Sequence, residues 1–250
     1  MERSKPVILS IDTSTPCSSV ALTAGTRKNG EVLAMLSLTG KVSHSRRLLS
    51  AVEWIMRDSG IGWSEIAGIG ISLGPGSFTG LRIGMATAKG LAAASGTVLF
   101  GVSTLDSLAA KCVTSRLICS LLDARKKEVY AAFYRCNHEG LTERVSEPVV
   151  LAPAELAAVI DEPVLLVGDG ARVYGEVLCA ILKEKCQIAP AVLHEPSAAS
   201  LGMLAGELLE KGLVLDLAEG VPMYVRSSDA ELNLLKKLNP NPDNRGKWII

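Results

Sequence analysis

The chain has 250 residues, 48% hydrophobic and only 4% aromatic, so a sizeable core of Leu, Val, Ile and Ala is expected in one large or two modest domains. Lys+Arg and Asp+Glu number 26 each, the formal net charge is zero, and no basic block stands out, which argues against strong independent binding of nucleic acid. No run reaches the roughly 18 apolar residues of a membrane helix, and the N-terminal apolar run is cut at Asp12, too short for a secretory leader, so a soluble cytoplasmic protein is expected.

In chain order, "LSIDTSTPCSSVALTAG" reads as a strand ending in Asp12, a polar turn and an alternating second strand. A third strand, "GEVLAMLSLTG", starts at Gly30. His44 to Gly60 carries Leu48, Leu49, Val52, Ile55 and Met56 at helical spacing. "IAGIGISLGPGSFTGL" is then a strand, a glycine turn and the opening of a long, small-residue helix. The second half repeats the order. "SLLDARKKEVYAAFY", Ser120 to Tyr134, is again strand, Asp (Asp123), polar turn, strand. "GLTERVSEPVV" from Gly140 is a third strand, Pro153 to Ile160 a short helix, and "PVLLVGDGARVYGEVL" a strand and glycine turn entering a helix. A further helix is expected around Ser197 to Gly212. The pattern is βββαβα, twice, predicting an α/β fold of two mixed sheets covered by helices. Duplicated in this way it resembles the two-lobed architecture of actin, sugar kinases and the Hsp70 ATPase. The expected division is 1–103, 104–226 and a polar tail, 227–250.

"GPGSFTG" is neither a Walker A loop, since no Gly-Lys-Ser/Thr follows, nor GxGxxG, since Thr79 takes the last glycine's place. Free amides at a helix N-terminus, with Ser77 or Thr79 as N-cap, can hold an anion beside Gly76, or simply join strand to helix. Gly80, Gly84, Ala88, Ala92 and Gly96 then recur every four residues. Glycine in a helix costs ~1 kcal/mol against alanine, so close approach is implied. It could be to the chain's own sheet or to a partner's helix. Asp12 and Asp123 stand where kinase-like folds face nucleotide phosphate and metal. Their turns, "TSTPCS" and "ARKKE", lack the glycine that close phosphate approach favours, so the carboxylates could equally cap turns. ATP or ADP is expected to bind weakly at best.

The three histidines form no HExxH, and "NHEGL" reads as a hairpin turn, so no metal site is expected. The six cysteines include two C-x6-C pairs but no CxxC, and in a cytosolic chain of this size are expected to be buried small hydrophobes.

"ILSIDTSTPCSSVAL", "SHSRRLL", "GPGSFTGLRIGMATAKGLA", "GVSTLDSLA", "LDARKKEVYAAFY" and "PMYVR", spanning Ile8 to Arg226 in this order, resemble the TsaB (YeaZ) family. The resemblance implies an actin-like fold and a non-catalytic role. A member of that family supports a TsaD-like catalytic subunit, with a TsaE-like ATPase, in transferring a threonylcarbamoyl group to an adenosine beside the anticodon of ANN-decoding tRNAs. It implies a homodimer when alone, and contact with tRNA only through the complex. By position, Thr104 and Leu108 stand where the catalytic paralogue has metal-binding histidines. The helices His44–Ser59 and Thr79–Ser95 correspond to the family's pairing surface, with His44, Arg47, Leu48, Gly80, Arg82, Gly84, Thr87 and Ala88 as its residues. Two rival classes are an autonomous ATP-dependent enzyme, such as a small-molecule kinase of this fold, and a metallopeptidase. The first lacks glycine in both phosphate hairpins and the second lacks the histidine pair.

Overall fold

In a computed structural model, residues 5–40 and 44–223 are described; the expected tail, 227–250, lies outside them. The first sheet holds β1 (Val7–Asp12), β2 (Cys17–Ala24), β3 (Glu31–Thr39), β4 (Ile66–Gly74) and β5 (Val98–Ser103), in the order β3-β2-β1-β4-β5. β1, β2 and β3 pair antiparallel, while β4 and β5 run parallel to β1. The second sheet repeats this arrangement. β6 (Leu117–Arg125), β7 (Glu128–Cys136) and the short β8 (Thr142–Arg144) and β9 (Val149–Leu151) are antiparallel; β10 (Val164–Val167) and β11 (Cys186–Ile188) run parallel to β6. The expected single third strand of this half is split. Its Ser146 Oγ replaces backbone in accepting the Phe133 amide, at 2.9 Å, and Pro148 has no amide to donate.

Helix α1 (His44–Ser59) forms because Leu48, Val52, Ile55 and Met56 fall on one face and bury against the sheet. Gly60, at φ 71, ends it. Helix α2 (Phe78–Ser95) starts at Ser77, whose hydroxyl accepts the Gly80 amide at 3.2 Å, and stops at left-handed Gly96. Both helices cover one face of the first sheet, over Leu9, Ile11, Val20, Leu22, Ile69 and Ile71. Full burial of each such side chain stabilises by ~1.5–3 kcal/mol.

In the second half, α4 (Pro153–Ala158) and α5 (Asp169–Leu182) cover one face of the sheet and α3 (Thr104–Ala109) lies on the other. Helix α6 (Ala198–Glu210) corrects the expected division. Leu201 and Ala205 pack with Ile8, Phe100 and Val102 on the free face of the first sheet, so the last described helix belongs spatially to the first lobe. The chain stays there: Leu215 donates its amide to Leu99 and Met223 its amide to Leu73.

A second correction concerns cysteine. The turn Lys183–Lys185 brings the end of α5 to the start of β11, and Cys179 and Cys186, Cα atoms 5.1 Å apart, are disulfide-bonded. Cys17, Cys112 and Cys119 are buried thiols, as expected of small hydrophobes, and Cys136 is half-buried.

Three consecutive residues, Arg125 (φ 62), Lys126 (φ 52) and Lys127 (φ 64), turn the β6–β7 hairpin in the left-handed region. Each such L-residue costs on the order of 1 kcal/mol or more.

The lobes are joined by charged contacts. Arg27, in the β2–β3 turn, donates Nε and one terminal nitrogen to the Glu207 carboxylate at 2.6 and 2.9 Å. Its other terminal nitrogen donates to the Thr142 carbonyl of β8 at 2.8 Å. The guanidinium and carboxylate are only 16% and 20% exposed, so truncation leaves poorly solvated partners. Arg27→Ala is expected to lower stability by about 2 kcal/mol, read from the midpoint of urea unfolding at unchanged slope.

Candidate functional site

The two aspartates at the strand ends serve the chain itself. Asp12 is 1% exposed, and its Oδ1 accepts the Ser14 amide at 2.9 Å and the Ser14 hydroxyl at 2.6 Å. Burial pushes its pKa above the ordinary 3.8, against the opposing pull of the Ser14 hydrogen bonds, nearby Ser72 and the Lys111 ammonium. At 1% exposure Asp12 is closed off from solvent, against the expectation of an open carboxylate facing nucleotide phosphate. Because its folded pKa is raised, the carboxyl favours the fold most when protonated, and that contribution fades as pH rises above the unfolded value. Asp12→Asn keeps an acceptor oxygen without the charge. Its stability relative to the parent is therefore expected to improve as pH rises above 3.8 in urea titrations; a constant difference would contradict the burial argument.

Asp123 caps its own hairpin. Its Oδ1 accepts the Arg125 amide at 2.8 Å and the Tyr174 hydroxyl at 3.3 Å, and Oδ2 pairs with the Arg125 guanidinium at 3.1 Å. Behind it, Asp169 Oδ1 accepts the Asp123 amide.

The glycine loop is a brace for the first hairpin. The Ser77 amide donates to the Ser14 carbonyl at 2.6 Å, its hydroxyl caps α2, and a Cβ on Gly76 would collide with that same carbonyl. Two of the groups suggested for an anion are thus already used, and Thr79 is an exposed residue of the first turn.

The stripe on α2 faces inward. A Cβ on Gly80 would collide with the Thr13 carbonyl oxygen, and one on Gly84 with the Thr13 hydroxyl and, at 3.2 Å, with Ile71 Cδ1. Thr13 Oγ1 donates to the Gly80 carbonyl at 2.8 Å. Ala88 and Ala92 are buried on the sheet. Gly80, Gly84 and Ala88 are therefore packing residues and not surface residues, and so is Leu48 of α1. This corrects four of the eight residues expected at a pairing surface.

The other residues fall differently. Arg82 is exposed and stacks over Phe78, 3.7 Å from the ring centroid. Thr87 is half-buried, its hydroxyl donating to the Ile83 carbonyl. Arg47 ties α1 to the first hairpin, through the Ser18 hydroxyl at 3.2 Å and the Pro16 carbonyl at 3.4 Å. The His44 side chain lies outside the described residues.

The outward faces of α1 and α2, which pack side by side, carry what sequence reasoning missed. On α1, Leu49 is 57% and Trp54 44% exposed. On α2, Phe78, Ala86, Gly90, Ala93 and Ala94 are exposed, and a Cβ on Gly90 would meet nothing within 4 Å. The exposed side of α1 thus carries large apolar groups and that of the neighbouring α2 small ones. Its signal lay in the same helices, on α2 two positions on from the buried stripe.

Thr104 and Leu108 are fully buried in α3, with Leu108 packed among Leu105, Ile118 and Leu122. The buried His194 accepts the Gly168 amide through Nδ1 at 3.2 Å. Among the described residues no cluster of three His, Cys, Asp or Glu side chains could hold a metal ion.

Residues 38–234 match the family model described as TsaD, tRNA N6-adenosine threonylcarbamoyltransferase. The tRNA threonylcarbamoyladenosine biosynthesis protein TsaB of Bacillus subtilis is 32% identical over 228 residues, covering 90% of this chain and 96% of that protein. The protein of the same name from Escherichia coli is 30% identical over 233 residues, covering 89% and 96%. The chain belongs to the TsaB family. In keeping with this, the solved structure of YeaZ from Pseudomonas aeruginosa, 27% identical, superposes with a TM-score of 0.70 over 87% of this chain and 99% of that one. A second Pseudomonas aeruginosa structure, described as similar to the peptidase YEAZ, gives 0.72 at 27% identity over 88% and 99%. Both TsaB relatives match this TsaB-family chain along nearly their whole length.

Proposed function

We propose that this chain is a non-catalytic subunit in tRNA threonylcarbamoyladenosine biosynthesis. It pairs with a TsaD-type catalytic subunit and works with a TsaE-type ATPase. Together they transfer a threonylcarbamoyl group to N6 of the adenosine beside the anticodon of ANN-decoding tRNA. The observation that carries this reading is that the neighbouring helices α1 and α2 both turn apolar or small residues to solvent, Leu49 and Trp54 on one and Ala86, Gly90 and Ala94 on the other. Exposed aromatic and aliphatic groups beside small ones mark interaction surfaces. The strand-end aspartates support the non-catalytic half of the reading, since Asp12 is buried and Asp123 is engaged by its own turn. The same face would pair two copies of the chain when the partner is absent, and the complex would act in the cytoplasm. The test is co-purification with the TsaD homologue of the same organism, followed by tRNA modification with and without this chain. Modification at full rate without it, or turnover by this chain alone, would overturn the proposal.

A further inference from the structure

We propose that His194 is an acid-sensitive pin. While its imidazole is neutral it fixes the strap that carries the chain from the second sheet to α6, and on taking up a second proton it releases that strap. The strap, residues 189–197, runs from the end of β11 to the start of α6, and the second half of the chain grips it. The Lys111 ammonium, just after α3, donates to the Leu193 carbonyl at 2.7 Å and to the Glu195 carbonyl. Arg172 of α5 donates to the Ala191 carbonyl at 2.9 Å and pairs with the Glu195 carboxylate. His194 makes the next grip: its Nδ1 accepts the amide of Gly168, the residue that turns into α5 at φ 114, at 3.2 Å. In all of these the strap is the acceptor. A carbonyl keeps its lone pairs at any pH, whereas an imidazole nitrogen accepts only while it carries no proton. A second proton on the ring sets two N–H groups against each other and strands the Gly168 amide, and His194 is only 3% exposed, so water cannot readily take over.

The surroundings work against that proton. Arg172 faces the ring from α5 and Lys111 from the end of α3, both of them cationic. Burial lowers the Lys111 pKa to about 8, which still leaves it charged at neutral pH. On the strap itself, Glu195 is engaged by Arg172, and Asp169, next to Gly168 at the start of α5, accepts the Asp123 amide. Burial first, and then Arg172, hold the His194 imidazole below its ordinary 6.5, while the backbone of Ala189 and Gly168 pulls the other way. A histidine with a lowered folded pKa contributes its stability in full above the unfolded value. That contribution is lost as pH falls from 6.5 to the folded value. At its far end the strap is held by the first half of the chain. The Ser10 hydroxyl donates to the Ala198 carbonyl at 2.6 Å, and the Ala198 amide donates to Ser19 Oγ at 3.1 Å. The strap therefore spans the two lobes, and acid loosens the link at its second-lobe end.

The experiment follows amide hydrogen exchange of the full chain by NMR on either side of pH 6.5, corrected for the intrinsic pH dependence of exchange. Protection of the Gly168 amide and of the strap is expected to fall as pH drops below 6.5, by up to about tenfold per pH unit, while the strands of the first sheet keep theirs. In H194N the side-chain oxygen can accept from Gly168 and does not titrate, so protection is expected to stay constant. Equal loss in H194N would overturn the proposal, because the acid response would then belong to another group, such as Asp169. So would constant protection in the parent, or a loss shared equally by every strand, which is global unfolding. Should H194N not fold, the parent decides alone. Its His194 imidazole, titrated by NMR, is expected to change charge below 6.5 in step with the strap, and one that titrates at 6.5 or above overturns the proposal.

Discussion

Gly90→Leu is expected to weaken pairing with the TsaD-type subunit by roughly ten- to a hundredfold while leaving the monomer as stable as before or more so. Gly90 lies on the outward face of α2, and an added Cβ meets nothing within 4 Å. Replacing glycine inside an exposed helix by leucine removes a propensity penalty of ~0.8 kcal/mol, which in a chain of this length corresponds to a melting temperature about 2 °C higher. On the partner's side the new isobutyl group fills space that a close helix approach needs. Overpacking of that kind typically costs ~1–3 kcal/mol, and 1.4 kcal/mol is tenfold in affinity. The two effects have opposite signs, so calorimetric melting and a pairing titration on one protein separate them. A variant that melts higher and pairs with unchanged affinity would show that this face is not the interface.

Gly84→Leu, six residues earlier on the same helix, is expected to do the reverse. Its Cβ would meet the Thr13 hydroxyl and Ile71, both fixed parts of the first sheet and hairpin. The larger side chain has nowhere to go without lifting α2 from the sheet. A loss of about 3 kcal/mol or more is expected, which lowers the melting temperature by roughly 6–12 °C. Pairing of the fraction that remains folded is unchanged. If Gly84→Leu melts like the parent, the helix is not seated as described.

These two glycines show where sequence reasoning stopped. A four-residue repeat of small side chains signals close packing, but α2 is small on both sides. Gly80, Gly84, Ala88 and Ala92 line the sheet, while Ala86, Gly90 and Ala94 face outward. Periodicity has no means of saying which stripe is which, because neither face is polar enough to declare itself. The duplicated strand and helix order was legible, since each half alternates between clear apolar strands and helical spacing. That Asp12 and Asp123 could be turn caps was also readable, because each is followed by a short polar turn lacking glycine. The burial of Asp12 was not, since it depends on β4 and the 72–77 segment closing over the first hairpin. The disulfide was hidden for a similar reason: C-x6-C is an unremarkable spacing until a turn brings its ends together. The helix Ala198–Glu210 was visible as a helix, but nothing in its apolar face names the sheet it covers.

That last contact separates the order in which the chain is made from the order in which it can be finished. The strands of the first sheet are synthesised early, yet Ile8, Phe100 and Val102 have their cover only when α6 has been made. Until then one face of the sheet is apolar and open. A fragment ending at Ser103 is therefore half a sandwich and not a free-standing lobe, and on expression it is expected to aggregate or be degraded. The first half of the duplicated pattern depends on the end of the second, so the two lobes mature together, with the growing chain held open until synthesis has passed both.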